Sequence, residues 1–435
     1  MRIKNKKNIR DLFIGLDEKV CDYNGKYING INFDNAATTP PIKSSIEYIE
    51  KLSNTYASIG RGTGQKAEIT TNLYHESKDF IMNFFNVRNK EKYVVIYVKN
   101  TTEGINKLAR TLIKEENEIV ISSRMEHHSN DLPWRNRGQV DYIEVDNNGR
   151  LKIDELEQKL IKNYGKVKYV SLSGASNVTG YINDIHSIAK TVHKYGAKLI
   201  VDGAQLVPHR KVSISGNTED EDIDFLVFSS HKIYSPFGIG VIIGIKDDFE
   251  KADPDYVGGG TVDLVLDNEV TYLDPPDKDE AGTPNYLGVM ALVNSLTVLN
   301  TIGFDYIEKH EDKLLQHMVE GLKCMPKIIN YGDMEDLSDR LGIATFNIEG
   351  IYHRDVAYLL AKEKGISVRH GWFCAHPYCR RLMNATEEEA KEFLENPQKK
   401  MLGMVRVSFA PYNSLGEVNL FLNVVEDISK GKFKK

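Results

Sequence analysis

The stretch Asp224-Phe-Leu-Val-Phe-Ser-Ser-His-Lys-Ile-Tyr-Ser-Pro-Phe-Gly-Ile-Gly-Val-Ile-Ile-Gly244 decides how this chain is read. Apolar residues over 225–228 predict a buried strand. It runs into Ser229, Ser230, His231 and Lys232, then a turn rich in Gly and Pro, then a second apolar strand over 241–243. A lysine just past a buried strand end sits at the mouth of a sheet, where lost hydration lowers its pKa and frees the amine. Such an amine can hold a carbonyl compound as a Schiff base. The hydroxyls and imidazole beside it suit a phosphate. Taken alone, the stretch is equally compatible with a surface lysine in a hairpin turn.

Working outward, the pattern on the N-terminal side is regular. Apolar strands are expected over 93–98, 118–122, 141–145, 168–172 and 198–201. Helices are expected up to about 114 and over 154–163 and 184–195. Strands of this length alternating with helices predict an α/β fold with a mostly parallel sheet covered on both faces. Ligands bind such sheets at the C-terminal strand ends, and the polar clusters all fall there. On the C-terminal side, 258–260 and 280–285 read as loops and 290–325 as a long helical region. A smaller α+β domain follows position 326. The expected division is a large domain over 31–300 and a small one built from 1–30 and 301–435. Residues 1–30 read as a lead-in helix and turn packed on the small domain. The charged stretch 383–400 reads as a helical insertion or lid.

Each polar cluster has a chemical reading beside a plainer one. Asp202 with Lys232 is what pyridoxal phosphate asks of a protein, a carboxylate for the pyridine nitrogen and an amine for the aldehyde; a helix cap is the alternative for Asp202. Thr101 and Thr102 open a helix whose amides and hydroxyls make an anion site, to which Ser229 and His231 add donors. His127 and His128 follow a strand, and an imidazole there can stack on a ring or move a proton. Cys374 lies in Arg369-His-Gly-Trp-Phe-Cys-Ala-His-Pro-Tyr-Cys379, where cationic neighbours favour a thiolate; a buried inert thiol is the alternative. Neither the His pair nor Cys374, His376 and Cys379 has zinc spacing, so no metal is expected. Arg406 interrupts an apolar strand and needs an anion, either a ligand carboxylate or a structural partner.

The 435 residues exceed one small core. The chain is 41% hydrophobic and 27% charged with a net charge of −6, both signs interspersed, which disfavours a nucleic-acid partner. The basic start has no apolar stretch after it, and no apolar run reaches the roughly 20 residues of a membrane span. Four cysteines are too few for a disulfide framework, so the cytoplasm is the expected compartment.

In family order the chain carries Phe33-Asp-Asn-Ala-Ala-Thr-Thr-Pro40, Asn100-Thr-Thr-Glu-Gly104, Glu126-His-His-Ser-Asn130, Ser176-Asn-Val-Thr-Gly180, Val201-Asp-Gly-Ala-Gln205, Ser230-His-Lys232, Ala281-Gly-Thr-Pro-Asn285, the run from Arg369 to Cys374, and Arg406. Together they resemble the class V aminotransferase-fold enzymes that use pyridoxal 5'-phosphate (fold type I, aspartate aminotransferase-like). The closest likeness is to cysteine desulfurases of the branch that includes selenocysteine lyases. The resemblance implies that Lys232 carries the cofactor, Asp202 pairs with the pyridine nitrogen, Gln205 bonds the phenolic oxygen and His127 stacks on the ring. It assigns the phosphate to Thr102, Ser229 and His231, with Thr283 reaching in from the neighbouring subunit of a homodimer. Asn177 and Arg406 would orient the substrate carboxylate, Arg369 would line the entrance, and Cys374 would accept sulfur from L-cysteine, leaving alanine. A sulfur-acceptor protein is a further implied partner. Trp372-Phe373 before the cysteine, and Cys379 with 383–400 after it, depart from the family pattern. They leave open another outcome on the same amino-acid carbanion (transamination, epimerisation or C–S β-elimination), or a binding protein without turnover.

Overall fold

Strand Tyr93–Val98 is six consecutive apolar or aromatic residues, all buried. No inward–outward alternation exists because both faces of its sheet are covered. The computed structural model describes residues 9–60, 62–396 and 399–433. The basic start at 1–8, and positions 397 and 398 of the charged stretch, lie outside the described residues.

Seven strands form the central sheet. Their spatial order is Tyr93–Val98, Gly240–Ile245, Phe225–Ser229, Lys198–Asp202, Val167–Ser173, Ile119–Ser123 and Gln139–Ile143. Six run one way, and Gly240–Ile245 is antiparallel to both its neighbours. This is the expected α/β class with a mostly parallel seven-stranded sheet. Helix Thr101–Leu112 buries Ile105, Leu108, Ala109 and Leu112, the spacing of one helical face. Helix Ile185–Lys194 does the same with Ile185, Ile188, Ala189 and Val192. Each fully buried aliphatic side chain contributes about 2 kcal/mol.

A second core surrounds a four-stranded antiparallel sheet of Ile328–Tyr331, Ile343–Ile348, Met404–Ser408 and Arg369–Gly371. Phe346, Val405 and Phe421 fill it, together with Phe33 from early in the chain. Phe33 arrives there because Ile31–Asn32 pairs in parallel with Ile366–Ser367. The long helical region is two helices, Tyr286–Ile302 and Phe304–Lys323, bent by 74°. The break falls at Gly303, whose φ of 91° suits glycine. Among the described residues, no single helix is long and apolar enough to cross a membrane.

Two local expectations are corrected. The described part of 1–30 holds one 3-10 turn, Arg10–Leu12, and then a hairpin, Lys19–Cys21 with Tyr27–Asn29. Its cause is an Asn24-Gly25 turn: Asp22 Oδ1 accepts from the backbone N–H of Asn24 and Lys26, and Gly25 takes φ 79°. This segment touches both cores, through Tyr23 N–H to the Lys362 carbonyl and through Phe13 on Tyr234. The strand expected over 141–145 is Gln139–Ile143. Between the two glycine-containing loops a hairpin forms, Val262–Val265 with Val270–Tyr272. In the charged stretch, helix Glu387–Glu395 begins at a capping box made by Thr386 and Glu389.

Candidate active site

Strand register brings the polar residues together. Ser173 pairs with Asp202 at the ends of adjacent strands. Asp202 lies beside Val227, two residues before Ser229. A short helical turn, Ser230–Lys232, then carries the lysine back over the strand ends. Lys232, Asp202, Gln205, His127 and Cys374 line one cavity of about 200 Å³.

At one end sits the start of helix Thr101–Leu112. Asn100 caps it by accepting from Glu103 N–H. Ser229 Oγ accepts from Thr101 N–H and bonds Thr101 Oγ1, both at 2.7 Å. Thr102 Oγ1 bonds Ser129 Oγ at 2.6 Å. The helix start can approach this closely because position 240 is glycine: a Cβ there would stand 2.6 Å from Asn100 backbone atoms. His231 also lines the cavity, its Nδ1 lying 3.2 Å from Thr38 Oγ1. Burial, then Lys232, lowers its pKa to about 4. Main-chain amides, hydroxyls and a helix N-terminus together form an anion cradle.

The middle of the cavity holds the titrating groups. Burial pushes Lys232 down to about 8, with Asp202 opposing and Arg406 reinforcing the shift. Burial pushes the Asp202 carboxyl up, while the Ala204 N–H, 2.9 Å from Oδ1, and Lys232 pull it down. His127 Nδ1 accepts from Ser129 N–H at 3.0 Å. Its ring proton is therefore on Nε2. Burial, followed by Lys232, lowers His127 to about 3, so the ring is neutral at physiological pH.

At the mouth, Arg406 is 2% exposed. It donates Nη1 to the Asn177 carbonyl at 2.7 Å and Nη2 to Asp34 Oδ1 at 3.1 Å. The other Asp34 oxygen lies 3.5 Å from Arg369 Nη1. Asp34 thus supplies a structural anion to Arg406, whose Nε is left without a partner. The aligned motif contains it, but an Asp opening a turn gives no sign that it meets a strand 372 residues later. Phe373 packs on the Arg406 guanidinium at 5.0 Å. Phe373 and Cys374 both take left-handed φ, 51° and 55°, which costs about 1–3 kcal/mol each. They are held there by Asn177 Nδ2 donating to the Phe373 carbonyl at 2.8 Å and by His128 N–H donating to the Cys374 carbonyl at 2.7 Å. The Cys374 side of this loop faces solvent.

Two named residues lie apart. Thr283 is exposed and lines a different cleft, with Tyr74, Lys99 and Val257. Cys379 is fully buried, and its thiol contacts the Trp372 carbonyl at 3.1 Å. Burial raises its pKa far above the usual thiol range. Among the described residues, no group of three metal-ligating side chains is arranged to hold an ion. Glu126 went unassigned from the sequence; its buried carboxyl accepts from Ser123, Ser173 and Asn130 directly behind His127.

A mostly parallel α/β sheet thus places a desolvated lysine, a buried carboxylate and an anion cradle together at its strand ends, where such sheets hold their ligands. Residues 31–421 match the model of the Aminotransferase class-V family, and the chain belongs to that family. It is 34% identical to a probable cysteine desulfurase of Pyrococcus abyssi over 92% of this chain and 94% of that one. The same identity holds to one from Halalkalibacterium halodurans, over 91% and 95%. Among solved structures, a cysteine desulfurase from Thermococcus onnurineus superimposes with a TM-score of 0.81 at 31% identity, covering 92% of this chain and 95% of that chain.

Proposed function

We propose that this protein is a pyridoxal 5'-phosphate-dependent cysteine desulfurase that converts L-cysteine to L-alanine and leaves the sulfur as a persulfide on Cys374. The observation that carries the reading is that Cys374, exposed and held by its backbone, shares one cavity with Lys232 and Arg406. The donor set fits the cofactor: the hydroxyls of Thr101, Thr102 and Ser229 and His231 suit the phosphate, Asp202 the pyridine nitrogen, Gln205 the phenolic oxygen, and neutral His127 a ring face. When bound, the cofactor supplies an electron sink for negative charge at the substrate Cα.

The chain's own residues supply the remaining chemistry. Lys232, brought to about 8 by burial, is partly unprotonated near neutrality and can take the Cα proton. Arg406 and Asn177 orient the substrate carboxylate. The Cys374 thiolate attacks the substrate sulfur, so that an S–S bond forms as the Cβ–S bond breaks. The electron pair left on Cβ takes a proton, Lys232 returns the proton to Cα to give alanine, and Cys374 retains the persulfide.

Two further parts belong to the same reading. Thr283 serves the cavity of a second copy in a homodimer; its exposure in a cleft beside exposed Val257 supports this. The exposed Cys374 hands its sulfur to an acceptor protein in the reducing cytoplasm, and the four free thiols fit that compartment. The test is alanine release from L-cysteine by the wild type and Cys374→Ala. Alanine that disappears in the variant supports the reading. Pyruvate in place of alanine, or alanine production untouched by the substitution, overturns it in favour of another reaction on the same amino acid.

A further inference from the structure

Gln205 ends a line of hydrogen bonds that leaves the cavity and runs into the protein interior. Its amide oxygen lies 3.5 Å from Lys232 Nζ, and its amide nitrogen lies 3.4 Å from His209 Nε2. His209 is one turn further along the chain and 3% exposed. Its Nδ1 lies 3.0 Å from both oxygens of Glu311. Glu311 is 0% exposed and sits on helix Phe304–Lys323, beyond the bend at Gly303. The chemistry described above uses neither His209 nor Glu311. The charged and titratable groups around Glu311 are Arg210, 4.0 Å away, which also reaches Glu308 and Asp312, and Tyr234.

The direction of each bond follows from the donor inventory. A carboxylate only accepts, so His209 carries its proton on Nδ1. The Gln205 oxygen is turned to Lys232 Nζ, which leaves its NH₂ facing His209 Nε2, and Nε2 is the acceptor of that pair. The NH₂ end of the amide thus meets a ring nitrogen whose state is set by one buried carboxylate. The second N–H of the same NH₂ group remains for a ligand acceptor. We infer that Glu311 and His209 are positioning residues that fix the Gln205 amide so that it presents an N–H to the phenolic oxygen of the bound cofactor. The inference rests on the cofactor assignment above. It extends that assignment by adding a control running from the second helix of the bent pair to the electronic state of the cofactor.

The experiment uses the holoenzyme. Glu311→Gln replaces the acceptor-only carboxylate with an amide that can also donate, so the proton of His209 is no longer forced onto Nδ1. Glu311→Leu combined with His209→Leu removes both partners, so that no buried charge is stranded. Gln205→Leu is the reference. At one fixed pH near neutrality, the ratio of the cofactor's two absorbing forms is expected to change by roughly tenfold, the equivalent of one pKa unit. Cofactor affinity is expected to fall roughly tenfold, about the loss of one hydrogen bond. In the Gln205→Leu background the double leucine change should move the ratio no further. Variants that unfold at lower temperature but keep the wild-type ratio and affinity overturn the inference, as does a change that adds fully to that of Gln205→Leu. Absence of any Lys232-dependent absorption band in the wild type is a different failure, which removes the cofactor assignment and this inference together.

Discussion

The side-chain amide of Asn177 donates to the carbonyl oxygen of Phe373 at 2.8 Å. This bond ties the loop after strand Val167–Ser173 to the Cys374 loop and pins one of two successive left-handed residues, the second being Cys374. Asn177→Ala is expected to leave the cofactor spectrum unchanged and to reduce turnover of L-cysteine roughly ten- to hundredfold, because a nucleophile misplaced by about 1 Å loses that much. Steady-state alanine release beside an absorption spectrum checks both halves.

Glu126 makes stability depend on pH. Burial raises its carboxyl to about 7, above the ordinary 4.5, against three hydrogen bonds that pull it down. The folded pKa is the higher one, so its contribution is fully present below about 4.5 and is lost as pH rises through about 7. The loss amounts to about 3 kcal/mol. Glu126→Gln keeps a donor for Ser123 and an acceptor for Ser173 and Asn130, and cannot ionise. Urea unfolding across pH 5 to 8 should show the wild type falling relative to the variant.

Gly240→Ala tests the cradle. The added Cβ would meet Asn100 backbone atoms at 2.6 Å, and a main chain yields less readily than the end of a flexible side chain. Destabilisation of about 1–3 kcal/mol is expected, together with weaker cofactor binding. Thermal unfolding and a cofactor titration measure the two effects separately.

Cys379 is expected to be a bystander in sulfur transfer. It is fully buried and burial keeps it protonated, whereas Cys374 is exposed. Alkylation of the native protein should mark Cys374 and spare Cys379 until denaturant is added. Cys379→Ala should retain alanine formation. Persulfide recovered on a peptide bearing Cys379 would contradict this.

Much of the site was legible because its residues belong to short runs at strand ends, where local pattern and location coincide. Thr101, Asp202 and Ser229 follow apolar strands directly, so placing the strands placed them. Asp34, His209 and Glu311 were not legible, because their roles depend on partners 372 and 102 residues away. A buried arginine or histidine announces that it needs a partner without saying which one. The N-terminal hairpin was missed for another reason: Asn24-Gly25 is a strong turn signal, but Lys19–Cys21 and Tyr27–Asn29 are short and mostly exposed, with too little apolar alternation to read as strands.

The bonding of residues 33–36 to the strand Met404–Ser408 has a consequence for how the protein is made. Ser408 N–H donates to the Phe33 carbonyl, Asn35 Nδ2 donates to the Ser408 carbonyl, and Asp34 waits for Arg406. On the ribosome the large sheet emerges complete once Gly240–Ile245 has been made, and domains fold as they emerge. The mouth of the cavity cannot exist at that stage, since its two sides lie 372 residues apart in the chain. A nascent chain released at position 400 is expected to protect the large sheet from protease and to leave residues 33–36 open to cleavage. Catalytic competence therefore waits for the strand Met404–Ser408, and a ribosome that stalls before it leaves a folded sheet whose active-site mouth is still missing one wall.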